Sequence, residues 1–458
     1  MAFFRNSFST QFTLAVLVAT CGLAHGEDLR VATFQVDATP PLGSPLCGGA
    51  VEPALEIVDP LSARGFVLLT AEQPIVLCVV DWVGIGNGGH DAWRVALARA
   101  AATHVDRVSV HTVHQHDAPG CDFAVDKLLA EHALSGTMFD VDFSRAVVDR
   151  AAAAIRTALE SPQPVTHLGL GIAVVEQVAS NRRLLAVDGK VQTVRFSSSR
   201  TPEAIAAAEG VVDPHVKLIS LWNEEQPLVA ITHYATHPQS YYGQGGVSAD
   251  FVGMAREIRE QALPGVAHIH FNGAGGNVAA GKYNNGAPAV RPVLAQRLAA
   301  GMQAAWEATE RVPITSDTVD WKFHAAALPA RDFIIEQNWQ SQLANQDSPL
   351  RERIRSARNL AFLRRVQGGH KININCLKLG PARILYMPGE LFVEYQLAAG
   401  ALRPDLFVAM AAYGDYGPGY IGTRVAYRQG GYETSRVSRT APEVEGVLVD
   451  AMRKLLAD

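Results

Sequence analysis

The chain has 458 residues, of which 48% are apolar, enough to bury a sizeable core. Its formal net charge is −5, and acidic and basic residues are spread along its length. No basic stripe points to a nucleic acid, and no acidic tail points to a basic protein partner.

Arg5 makes a short positive region ahead of an apolar run from Phe12 to Ala24, which ends in small residues and Gly26. This is the pattern of a secretory signal peptide over residues 1–26, and the run is too short to span a bilayer. Export, periplasmic or extracellular, is therefore expected. Val18-Ala19-Thr20-Cys21 weakly resembles a lipoprotein cleavage box, but the threonine before Cys21 favours simple cleavage over lipid anchoring. Cys47, Cys78, Cys121 and Cys376 follow. Export permits disulfides among them, the spacing leaves their pairing open, and no CxxC pair suggests a cysteine-built zinc site.

Ile75–Val80 reads as a buried strand and Ala92–Ala102 as a helix with Trp93, Leu97 and Ala101 on one side. Val108 and Val110 begin another strand, and Phe143–Leu159 is helical. Further along, Leu228–Ile231, His268–Phe271, Ile384–Met387 and Phe407–Met410 read as strands. Phe251–Leu263, Val290–Ala308 and Glu443–Leu456 read as helices. Such alternation predicts a mixed α/β (α+β) fold of layered β-sheets flanked by helices. The polar stretch from Asn338 to Arg365 reads as a helical excursion or a lid. No repeat or linker appears, so one large domain over residues 27–458 is expected.

Four segments could carry chemistry. His111-Thr112-Val113-His114-Gln115-His116 follows a strand and ends in a Pro-Gly turn. In extended backbone residues two apart share a face, so His114 and His116 are expected to point into one cleft. HxH suits zinc, and suits equally a polar pair at a strand end. His237 follows another apolar strand, at the end where open sheets place their sites, although by itself a histidine there suits a structural role better than a catalytic one. Glu390 follows the turn Pro388-Gly389, as a fixed oxygen ligand, a helix N-terminal acid, or both. The fourth segment is the aromatic, glycine-rich stretch from Tyr413 to Tyr432. Gly276–Lys282 mimics a phosphate-binding loop, but Tyr283 stands where that motif needs Ser or Thr, so nucleotide binding is rejected.

Together these segments resemble the catalytic domain of the neutral, non-lysosomal ceramidases. The family's Thr-His-Thr-His-Ser-Gly-Pro-Gly is similar to Val113-His114-Gln115-His116-Asp117-Ala118-Pro119-Gly120. Its Asn-Arg segment corresponds to Asn181-Arg182-Arg183, and its second histidine segment to His237-Pro238-Gln239-Ser240 with Asp250 after it. The Pro-Gly/Ala-Glu motif corresponds to Pro388-Gly389-Glu390, and the tyrosine cluster to Tyr420, Tyr427 and Tyr432, followed by Glu433. Asp37-Ala38-Thr39-Pro40 matches an early Asp-x-Thr-Pro. The resemblance covers most of the chain beyond the signal, in order.

The resemblance implies one zinc ion (Zn2+) held by His114, His237, Glu390 and Tyr420, whose activated water attacks an amide carbonyl. It implies His116 as general base and then acid, and Arg182 and Tyr432 as stabilisers of the developing oxyanion. The substrate would be an N-acyl lipid or ceramide-like molecule, met at a membrane surface or as a small molecule, with no protein partner. Three departures stand out. The family's C-terminal immunoglobulin-like domain is not expected here. Gly276-Asn277-Val278-Ala279 replaces Gly-Asp-Val-Ser, and Asp117-Ala118 replaces Ser-Gly. They leave two alternatives: a zinc hydrolase of another amide or ester, or a binding protein that kept the fold without catalysis.

Overall fold

The computed structural model describes Met1 and residues 29–457. The expected signal peptide and Cys21 fall outside the described residues.

Three larger sheets carry the architecture. The first has five strands, in the order Val108–Thr112, Ile75–Val80, Ser62–Leu69, Arg30–Asp37, Gln163–Pro164. Ile75–Val80 is buried along its whole length, which explains why it reads as an unbroken apolar run. Val76, Cys78 and Val80 join the core of Trp93, Leu97 and Val147, from the helices Asn87–Ala100 and Val141–Ala158. Ile75, Leu77 and Val79 join a second core with Ile231, Ile269 and Phe271 of the next sheet. Period-two alternation thus splits one apolar strand between two cores.

The second sheet centres on Gln226–Tyr234, which runs parallel to Ala267–Asn272. The third has four strands, and its Ala382–Tyr386 runs parallel to Phe407–Ala411. With Ile75–Val80 and Val108–Thr112, each sheet therefore holds one parallel pair. The backbone ties the carboxyl ends of these pairs together. Thr112 N donates to Tyr413 O at 3.0 Å and Ala412 N to Asn272 O at 2.9 Å. The loops beyond them share one place, where layered α/β proteins commonly bind ligands.

A buried ion pair supports this junction. Arg256 grips Asp81 through both terminal nitrogens, at 2.9 and 2.7 Å. Burial opposes ionisation of Asp81, but Arg256 and Arg64 outweigh it and hold the carboxyl far below the usual range. The next residue, Trp82, accepts the His114 amide through its carbonyl at 3.0 Å. Arg256→Met strands the Asp81 charge in the core and is expected to cost about 3–5 kcal/mol in denaturant unfolding. A loss below about 1 kcal/mol would show that the pair supports nothing.

Asn338–Arg365 is helical, as expected. It folds as Glu336–Ala344 and Leu350–Gln367, with Trp339, Leu343, Ile354 and Leu360 buried. Its arginines conceal an apolar stripe that packs against the first core. Cys47, Cys78, Cys121 and Cys376 are free thiols, so the disulfides that export would permit do not form among them. No helix among the described residues is long and apolar enough to cross a membrane.

Candidate metal centre

His114 sits just beyond Val108–Thr112, and its backbone leaves the extended region altogether, with φ +78°. A histidine in the left-handed region is held there only by its surroundings, at a cost of order 1–3 kcal/mol. Here the Trp82 carbonyl takes its amide and the Val83 carbonyl accepts from its Nδ1. His114 and His116 do meet, with their Nε2 atoms 3.4 Å apart. The reason differs from the strand alternation expected: a kink at His114 turns the two rings together.

His237 follows Gln226–Tyr234, and its Nδ1 donates to Gly275 O at 2.6 Å. Asp250 does not reach the centre. Its carboxylate accepts the Ser240 amide at 3.0 Å and lies 3.4 Å from Arg291, which pins the turn after His237. Glu390 leaves its Pro-Gly turn into a two-residue strand whose partner across the ladder is Tyr420. A Cβ at Gly276 would collide with the Glu390 carbonyl, so only glycine fits beneath this ligand.

Glu390 Oε2 lies 3.1 Å from His237 Nε2 and 3.3 Å from His114 Nε2. One donor atom from each of these three buried residues falls within 4.8 Å of the others. Tyr420 OH is 3.1 Å from His237 Nε2. Burial opposes charge on Glu390, but the His114 and His237 rings outweigh it and hold its carboxyl well below the usual range. Burial lowers His237 and raises the Tyr420 phenol. Both imidazoles commit Nδ1–H to a backbone carbonyl, which leaves each Nε2 lone pair aimed at a common point. Two such nitrogens and a carboxylate oxygen fit a divalent metal ion.

The remaining expected site residues border this point. Arg182 is buried and donates from Nη1 to Tyr420 OH at 3.1 Å, and the same nitrogen lies 3.3 Å from His237 Nε2. The fully buried Glu433 holds Arg182 at 3.2 Å and Arg183 at 3.1 Å. Tyr432 is 41% exposed, and the Arg182 guanidinium lies 5.6 Å from its ring centre. Burial, with the His114 and His237 rings, pushes His116 well below its ordinary value, so it is neutral at pH 7. Its Nδ1 is buried and has no hydrogen-bond partner among the described residues.

Two cavities meet here, and both are lined by His116, Tyr420 and Tyr432. One, of about 290 Å³, also touches Glu390 and runs past Tyr416 to the helix Leu350–Gln367. The other, of about 490 Å³, touches Arg182, His237 and Tyr242. Tyr416, whose hydroxyl donates to Glu390 Oε1 at 2.7 Å, has no motif of its own. The aromatic density of its loop is the only signal for it.

The sequence matches no protein-family model, and no curated protein matches it. Solved structures do match. A ceramidase complexed with C2 superposes with a TM-score of 0.67 and 18% identity, over 93% of this chain and 74% of that one. The neutral ceramidase from Pseudomonas aeruginosa gives a TM-score of 0.66 and 18% identity, with the same coverage of each chain. The chain has the neutral ceramidase fold. At this identity the likeness speaks for the fold, and the chemistry rests on the side chains just described.

Within the neutral ceramidase fold, the segment that departs from Gly-Asp-Val-Ser is a scaffold. Asn277 donates to Glu394 at 2.8 Å and accepts the Val393 amide at 2.9 Å. Ala279 is fully buried, its carbonyl accepts from Ser180 Oγ at 2.8 Å, and it lines neither cavity. A serine hydroxyl there would meet the interior. Lys282 of the mock phosphate loop is spent on the Ile205 and Ala207 carbonyls.

Proposed function

We propose that this chain is an exported, zinc-dependent amidohydrolase that cleaves the amide of an N-acyl lipid or ceramide-like substrate. The observation that carries this reading is the convergence of His114, His237 and Glu390, with their donor atoms within 4.8 Å, where two cavities meet. An amide straddling that point would have its two arms in separate cavities.

Tyr420 is the fourth ligand in this reading. Zinc in such a donor set supplies Lewis acidity, polarising a carbonyl and bringing the pKa of water towards about 7. His116, neutral at pH 7, accepts the proton of the attacking water and returns it to the departing amine. The water oxygen joins the carbonyl carbon, the C–N bond breaks, and a carboxylate and an amine result. Arg182 and Tyr432 donate to the carbonyl oxygen as it gains charge. The reading as a non-catalytic binder drew its support from the missing serine, and Ala279 lines neither cavity.

The deciding experiment offers N-acyl amides to the purified chain, with its zinc content measured, before and after chelation. Hydrolysis that stops with chelator and returns with zinc supports the reading. Undiminished hydrolysis without metal, or none on any amide at full zinc occupancy, ends it. Tyr432→Phe removes one hydroxyl donor from a half-exposed side chain and is expected to lower kcat by about 10²–10³-fold, with zinc retained. An unchanged kcat would remove Tyr432 from the mechanism.

A further inference from the structure

The cavity that runs past Tyr416 carries an excess of guanidinium groups. Arg351, Arg355, Arg358, Arg436 and Arg439 all border it, against the carboxyls of Glu390 and Asp122. Arg355 is neutralised by Glu352 at 2.7 Å, and Arg351 lies 3.9 Å from the same residue. Arg358, Arg436 and Arg439 have no ion pair among the described residues.

Arg439 is 4% exposed, and its hydrogen bonds go to neutral acceptors. Nε donates to Asn359 Oδ1 at 2.9 Å and Nη1 to Gly417 O at 3.3 Å. Arg358 lies 5.1 Å from the ring centre of Tyr416 and hydrogen-bonds its hydroxyl, a neutral partner that itself donates to Glu390. Burial, and then the charge of Arg358, push the pKa of Arg439 down to about 9. Asp122 is a poor counter-ion for them. Burial pushes its carboxyl up to about 7, and it is taken up by Asn87 at 2.6 Å and by the Ala124 and Val125 amides.

Arg358 and Arg439 thus share one low-dielectric wall with no carboxylate within ion-pair distance of either among the described residues. Burial opposes the charge on Arg358, but Tyr416, with Asp122 and Glu390 acting from further off, outweighs it and holds its pKa up. The wall is also kept open. Gly419 has φ +66°, and a Cβ there would come within 2.9 Å of Arg439 Nη1. The ligand chemistry that resolves such an arrangement is an anion with several oxygens, which the guanidinium forks match in shape and charge. The neutral hydroxyls of a ceramide would give neither guanidinium a counter-ion in contact.

We propose that Arg358 and Arg439, with Arg436 on the same wall, form an anion subsite that holds a carboxylate, sulfonate or phosphate group of the substrate. The word substrate rests on the amidohydrolase reading above, and the anion subsite itself does not. The enzyme's preferred amide would then be an acidic N-acyl compound, with its charge beyond Tyr416.

Decanesulfonate and decanol are the probes, titrated into the full chain as purified and again with metal chelated. The natural chain is expected to hold decanesulfonate at least about tenfold tighter than decanol in both preparations, the value of one charge-assisted hydrogen bond. Arg358→Gln should lose that preference. Arg436→Gln, whose exposed side chain takes no part in the core, should reduce it, with circular dichroism and Tm verifying both folds. Equal binding of the two probes by the natural chain overturns the subsite. So does an undiminished preference in both folded variants, or a preference that vanishes with the metal.

An activity arm compares N-decanoylglycine, with its carboxylate on the amine side, and the monodecylamide of glutaric acid, with its carboxylate on the acyl side. Each is set against neutral N-decanoylethanolamine. Preference for one acid reports which arm of the amide faces Arg358. Hydrolysis with no preference for either acid sinks the subsite and leaves the hydrolase. No hydrolysis at all, with the sulfonate preference intact, sinks the hydrolase and leaves the subsite.

Discussion

His237→Ala and His114→Gly are each expected to lose zinc and amide hydrolysis together, with activity falling to the level of the chelated natural chain. In the proposed centre each residue would supply an Nε2 that its own backbone bond holds in place. Removing one leaves too few donors to keep both the ion and an open position. Glycine is the better replacement at His114, because φ +78° strains alanine and suits glycine. Loss of activity can then be separated from loss of fold. Metal analysis by mass spectrometry, alongside turnover of an N-acyl amide, checks the prediction. Stoichiometric zinc in either variant, or full turnover without it, would remove these residues from the ligand set.

His116→Ala is expected to keep zinc and to lower kcat by about 10²–10⁴-fold, the usual worth of general acid–base help. His116 Nε2 lies only 3.4 Å from His114 Nε2, so the variant also separates two roles that proximity alone leaves alike. A base gives up turnover without giving up metal, whereas a ligand gives up both. Burial and the neighbouring imidazoles oppose its protonation, so the ring is neutral at pH 7 with a lone pair available. Zinc lost with His116 would make it a ligand. A kcat within about threefold of the natural chain would show that another group moves the proton.

Much of the fold is legible in local pattern. Ile75–Val80 matches its strand residue for residue, and the helix expected at Val290–Ala308 runs over Val290–Glu307. Both are set by nearest-neighbour chemistry, as an apolar run between turns or an alanine-rich stretch with 3.6-residue spacing. Asn338–Arg365 is less legible, because its arginines mask a buried stripe whose partner is more than 200 residues earlier in the chain.

For the candidate site, the sequence by itself determined the donor types and their local fixtures. HxH follows a strand, His237 ends another, and Glu390 follows a Pro-Gly turn with glycines where the backbone must approach closely. These are short-range features, set by residue chemistry and φ preference. Convergence was decided only in tertiary structure, because the donors sit on the carboxyl ends of parallel pairs in three different sheets, and no local rule brings those ends together. The kink that aims His114 was decided there too, since a histidine adopts φ +78° only when the Trp82 and Val83 carbonyls compel it. So was the pairing of Arg358 with Arg439. These two residues belong to no motif, and what gives them meaning is a shared cavity wall in which no carboxylate comes within ion-pair distance of either among the described residues.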